Sequence, residues 1–244
     1  MPEASTLVVL AVAVSVGAGL NAASGFGFSL LSVPVMAAVL GPREAVVLSA
    51  VLGAFSNGAV AVRNRLEVDR PIGARLMAGS LVGMPVGVLV LSKLDERPLQ
   101  ILIGLAVLAT AGVLASGWRL EHPHPRTDVG AGLLSGMFKT SVGFSGPPVV
   151  VLLQGRGLPK ARFRATSAAV IEVVGLVSLV LFGLAGHINR AVLVGAAVTL
   201  PVMPVGYWVG NRVHDSVPEE RFRYLVLSMV VTSAILALLE VARS

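Results

Sequence analysis

Cysteine is absent from all 244 residues. Disulfides, thiolate metal centres and thiol nucleophiles are thereby excluded, and nothing in the chain marks a redox compartment. Charge is scarce too: Asp, Glu, Lys and Arg make up 13% of the chain against 55% apolar residues, where a soluble domain carries roughly 25% charged residues to keep its surface wet. No cation precedes Arg43, so the apolar stretch that begins near Leu7 lacks the basic n-region of a signal peptide. No GxxxxGK[ST] phosphate loop occurs, and nothing suggests ATP as a driver. The net charge of +6 comes without a basic patch interleaved with aromatics, which speaks against a nucleic-acid partner.

What is present is apolar sequence in long runs. Residues 44–62, 72–92, 98–116 and 222–239 are among at least six stretches that match the roughly 20 residues needed to cross hydrocarbon. The expected fold is all-α and integral to a membrane, with the bilayer as its principal partner. The Lys and Arg residues sit in short loops between these runs, where they act as topology signals.

The chain repeats itself. Gly27-Phe28-Ser29 matches Gly143-Phe144-Ser145 at an offset of 116, Val68-Asp69-Arg70 matches Ile188-Asn189-Arg190 at 120, and Met84-Pro85-Val86-Gly87 matches Met203-Pro204-Val205-Gly206 at 119. Collinear matches at nearly one offset indicate duplication. Residues 1–116 form the first transmembrane repeat, 117–128 a polar linker containing His122 and His124, and 129–244 the second repeat. The histidine pair reads as linker rather than a metal site, and no metal or other cofactor is implied.

Each half contains an interrupted apolar block followed by three uninterrupted ones. The first, 5–40, is too long for one crossing at ~1.5 Å per residue and breaks at 24–29; the second, 129–154, breaks at 141–148. Glycine, serine and proline at the breaks suggest re-entrant hairpins. The loop cations test this reading. If both blocks cross, Arg63, Arg65, Arg70, Arg75, Arg119, Arg126, Arg190 and Arg243 face ten on the other side. If both blocks return, Arg63, Arg65, Arg70, Arg75, Arg119, Arg126, Arg156, Lys160, Arg162, Arg164, Arg212, Arg221 and Arg223 face Arg43, Lys93, Arg97, Arg190 and Arg243. The second count has the cytoplasmic bias that multi-pass proteins show. It favours inverted repeats with both termini outside, and eight crossings with parallel halves stand as the alternative.

In the hairpin arrangement the two tips meet near mid-membrane, where irregular backbone is tolerated only inside protein or around a cavity. The candidate substrate residues are Ser24, Gly25, Phe26, Gly27, Phe28 and Ser29 at the first tip, and Thr140, Ser141, Gly143, Phe144, Ser145 and Gly146 at the second. Ser29 and Ser145 are placed to cap the helices that follow, and Pro147 suits a first helical turn. Two helix N-termini facing one point favour an anion. Lys139, about ten residues or ~15 Å into the second block, needs a partner at that depth. The partner is either the substrate or Glu172, an acid well inside an apolar crossing and a candidate for proton coupling. Asn21 and Asn57 are further candidate donors to an oxyanion, with an interhelical hydrogen bond as the plainer role of each. His187, at the end of a crossing, reads as solvated.

Gly25-Phe26-Gly27-Phe28-Ser29 with Pro34, and Ser141-Val142-Gly143-Phe144-Ser145-Gly146-Pro147, in a chain of this length, resemble the sulfite exporter TauE/SafE family along essentially the whole chain. The resemblance implies a permease of the bacterial plasma membrane that carries sulfite, sulfonates such as sulfoacetate or related sulfur oxyanions, often outward. A secondary anion transporter working by alternating access is the resulting expectation, and not an enzyme. Two other readings stay open: an anion channel, and an intramembrane serine hydrolase, because Gly143-Phe144-Ser145-Gly146 has a G-x-S-G form. The oligomeric state is left open.

Overall fold

The computed structural model describes residues 4–24, 28–63, 65–116 and 124–216, together with 228, 231, 232, 234 and 235 near the C-terminus. The described residues form α-helices apart from one short 3-10 turn and the connections. In order they are α1 (Ala4–Ser24), α2 (Phe28–Leu40), α3 (Pro42–Arg63), α4 (Arg70–Lys93), α5 (Glu96–Ser116), α6 (Pro125–Val142), α7 (Gly146–Gly155), α8 (Lys160–Leu184), α9 (Arg190–Thr199) and α10 (Met203–Ser216). The final apolar run, 222–239, lies largely outside the described residues.

Among the described residues Arg70–Lys93, Glu96–Val113 and Ala161–Leu184 are each long and apolar enough to cross a membrane, and Arg190–Thr199 with Met203–Val209 reach that length together, bent by 45° at their junction. The outward faces of these helices carry Val82, Leu105, Val180 and Leu193, all exposed, as expected of side chains that meet lipid rather than water. The chain is a multi-pass membrane protein.

The bend corrects one expectation, since the last two crossings but one in the second half are not both uninterrupted. Pro201 lies in the turn between α9 and α10, and Pro204 opens α10; a ring without an N–H stops helical hydrogen bonding there. The equivalent Pro85 is accommodated inside a continuous α4.

The repeated Asp/Asn-Arg motif proves to be a helix start. Asp69 caps α4 by accepting from the Ile72 N–H at 3.1 Å, and Asn189 caps α9 by accepting from the Val192 N–H at 3.0 Å. Each cap satisfies a donor that the first turn would otherwise leave unpaired.

Both interrupted blocks are two helices, as expected. In the first, α2 runs back along α1: Ser32 donates to the Ala13 carbonyl at 3.2 Å, and Gly17 packs against Phe28 and Ser32. In the second, α6 starts at Pro125 rather than 129, behind a cap in which His124 Nδ1 accepts from the Arg126 N–H and Thr127 donates back to His124. The feet of α6 and α7 are tied together: Asp128, fully buried, accepts from Arg156 at 2.6 Å and from Arg75 of α4 at 2.7 Å.

Among the described helices, α4 and α6 pack together over the greatest length. Gly79, Gly83 and Gly87 of α4 face Gly132 and Gly136 of α6, and a Cβ on any of them would strike the other helix's backbone. Spacing of four residues puts these glycines on one stripe, so the two backbones touch where side chains would hold them apart. By contrast, α10 meets α1, with Gly206 against Ser15. The first half's α4 therefore packs on the second half's broken block, and the second half's α10 on the first half's.

The two ends of the bundle are distinct. At one, Arg43 at the start of α3 donates to the carbonyls of Leu91 and Leu94 at the end of α4, and Glu44 accepts from Asn189. At the other, Arg75, Asp128 and Arg156 gather, and the Asp69 N–H donates to Thr166 of α8.

Candidate functional site

A cavity lies where the two helix breaks approach the α3–α8 pair. Asn21 of α1 and Phe28 and Ser29 of α2 line one side; Phe144, Ser145 and Gly146 of the second break line the other. Lys139 of α6 reaches in from the side, and Gly53 of α3 with Ile171 and Gly175 of α8 complete the wall. The two breaks, which are 116 residues apart in the chain, thus share one space.

The second break is held rigidly. Gly143 adopts φ +86, the left-handed conformation that ends α6 and that a side chain would strain. Its carbonyl accepts from Ser49 of α3 at 3.0 Å, and the Ser145 carbonyl accepts from Ser135 of α6 at 2.9 Å. Phe138 and Phe144 pack edge to face with ring centroids 5.9 Å apart. All of 139–147 is buried.

Several sequence-derived roles change here. Ser145 precedes α7 but makes no side-chain cap, and Ser29 lies within the first turn of α2 instead of ahead of it. Pro147 does occupy the first turn of α7. Pro148 follows it, however, so two of the first three residues of α7 have no N–H, and Gly146 carries the remaining donor of those three. The start of α2, with Phe28, Ser29 and Leu30, lacks no donor. Thr140 and Ser141 turn away from the cavity: Thr140 bonds the Met84 and Gly136 carbonyls, and Ser141 the Met137 carbonyl. Gly143 shapes the break without lining the space. Gly25, Phe26 and Gly27 lie outside the described residues, as do the side chains of Ser24 and Asn57.

Lys139 is 3% exposed. Because α6 begins at Pro125, it stands fourteen residues along the helix, ~21 Å from its foot. Its charge and that of Glu172 interact, yet the ion pairs within 4.0 Å among the described residues are those of Asp128. Glu172 Oε2 is buried without a hydrogen-bond partner. An ammonium held in a cavity, short of closing an ion pair with its nearest acid, can bind an anion, because the ligand would supply the missing counter-charge.

Gly53, Ile171 and Gly175 escaped the sequence reading. They lie in uninterrupted helices, and only the packing of α3 against α8 brings them to the breaks. His187 does not come near the cavity: its Nε2 lies 2.9 Å from the Ser92 hydroxyl, at the end of α8. Among the described residues no histidine lines the cavity with Ser145. Among the described residues no cluster of three His, Asp or Glu could hold a metal.

A multi-pass helical bundle with a buried cation in a cavity between two helix breaks has the build of a membrane transporter. Comparison with known proteins agrees: the profile of the family described as Sulfite exporter TauE/SafE matches residues 9–237, and the chain belongs to that family. It is a family of transporters, not of enzymes. The chain is 32% identical to the "Probable inner membrane transporter protein TsaS" of Comamonas testosteroni, covering 68% of this chain and 70% of the relative. It is 28% identical to the "Probable sulfite/organosulfonate exporter TauE" of Cupriavidus necator, with 84% of each chain covered. No solved structure matches it.

Proposed function

We propose that this protein is a secondary transporter that binds a small sulfur oxyanion or organosulfonate, such as sulfite or sulfoacetate, in the cavity at Lys139 and exports it across a bacterial inner membrane. The observation that carries the reading is Lys139 itself, a buried ammonium lining a space between two helix breaks. The printed names of the relatives, a sulfite/organosulfonate exporter and an inner membrane transporter, supply the substrate class, direction and membrane.

The halves are read as inverted repeats that rock about the cavity to expose it alternately to either side. Two observations support this. The feet of α6 and α7 meet at the end of the bundle marked by Arg75, Asp128 and Arg156. Leu40, at the outer end of α2, joins through Gly41 to the end marked by Arg43. With six crossings and two hairpins, the cation-rich loops face the cytoplasm and both termini lie outside. Glu172 is assigned to coupling: a proton taken up there removes the negative charge that competes with the substrate for Lys139.

The test is equilibrium binding of sulfite and sulfoacetate to purified protein. Lys139→Ala should abolish binding while leaving the protein monodisperse and helical; unchanged affinity would sink the assignment. Reconstituted flux should saturate with substrate, and voltage-driven flux faster than a carrier can cycle would instead indicate a channel.

A further inference from the structure

Several buried glycines are packing residues. At Gly79, Gly83, Gly132 and Gly136 a Cβ would collide with the backbone of a neighbouring helix, so these residues exist for packing. Gly175 is buried on α8, yet a Cβ there would meet no described residue within 4 Å. Inside a protein such open space is a cavity, and Gly175 lines the one at Lys139. Gly53, facing it from α3, is also buried and lines the same cavity; a Cβ there would stand 3.7 Å from the Lys139 ammonium nitrogen.

We infer that Gly53 and Gly175 determine which anions the cavity accepts, Gly53 leaving room for the charged head group beside Lys139 and Gly175 leaving room for the substituent attached to it. The inference rests on the cavity being the substrate site. Its chemistry is steric. A helix interior favours alanine over glycine, and among the described residues no neighbour would clash with a methyl added at either position. Phe144 and Ile171 line the same cavity, giving a short aliphatic substituent apolar neighbours, whereas sulfite, which has no substituent, needs only the region at Gly53.

The experiment compares wild type, Gly53→Ala, Gly175→Ala and Gly175→Leu in calorimetric binding of sulfite, methanesulfonate, sulfoacetate and butanesulfonate. Gly175→Leu should weaken sulfoacetate and butanesulfonate by about tenfold or more and leave sulfite within about threefold, the scale on which pocket volume discriminates. Gly175→Ala, which the fold accommodates without contact, should shift the ranking the same way by less. Gly53→Ala should weaken all four together, because it crowds the shared head group. If the Gly175 variants leave the ranking as in wild type while Lys139→Ala still loses binding, this inference falls and the transport site stands. If wild type binds none of the four, both fall.

Discussion

Arg156 Nη2 lies 2.6 Å from the Asp128 carboxylate, although 28 residues and a reversal of the chain separate them. The carboxylate is fully buried, and Arg75 holds its other oxygen at 2.7 Å. One buried acid therefore joins the foot of α6 to the end of α7 and to the start of α4. Removing one member of a buried ion pair leaves the others uncompensated. Asp128→Ala should cost on the order of 3 kcal/mol, the low end for a buried pair because both arginines keep some solvent contact. Thermal unfolding in detergent measures it, and Asp128→Asn combined with Arg156→Gln should cost less than the two single changes summed.

The α4–α6 seam makes a second stability prediction. At Gly83 a side chain would meet the Leu133 carbonyl, and at Gly136 the Ser80 carbonyl. Backbone cannot yield as a rotamer can, so Gly83→Leu should destabilise by about 3 kcal/mol or more, at or beyond the usual upper range for overpacking. Gly130, exposed on the same α6 and with nothing within 4 Å of its Cβ, should accept alanine without loss. Equal melting temperatures for the two variants would refute the packing role of the seam.

Glu172→Gln separates binding from coupling. The substitution keeps the shape of the side chain and removes its titration, so sulfite binding should persist while an imposed pH gradient no longer drives uptake or efflux in proteoliposomes. Gradient-driven flux equal to wild type would remove Glu172 from the coupling role.

His187 predicts a pH dependence of stability. Burial, with the Arg43 charge adding to it and Glu44 opposing, holds the imidazole below its ordinary value of 6.5. In the window just below 6.5 the unfolded chain then binds the proton more readily than the folded one, so stability rises with pH. The contribution is intact above 6.5 and is lost as pH falls through the folded value. Melting temperature should drop between pH 7 and about pH 5, and His187→Gln should flatten that part of the profile. An unaltered slope in the variant would assign the dependence to other groups.

Much of the architecture was legible because local chemistry dictates it. Apolar runs of crossing length become helices in lipid whatever their neighbours, and glycine with proline interrupts them, so the break at 143–145 sits where the sequence places it. The Asp-Arg and Asn-Arg matches were visible as a repeat, and their meaning as helix caps appeared only with Ile72 and Val192 in place. Thr140 and Ser141 donate to carbonyls one turn back; a hydroxyl near a break can serve a ligand or such a carbonyl, and sequence does not choose between them.

By itself the sequence determined a lipid-embedded chain of helices, two interrupted apolar blocks and a lysine well inside the second of them. Those properties follow from composition and from spacing along one chain. Tertiary structure alone decided that Phe28 and Ser29 share a cavity with Phe144 and Ser145, that Lys139 and Gly53 lie side by side in its wall, and that Asp128 pairs with Arg156 and Arg75. Each of these depends on which helices pack together, and the stripe of glycines that seats α4 on α6 acts between segments about fifty residues apart, at a distance no local pattern reports.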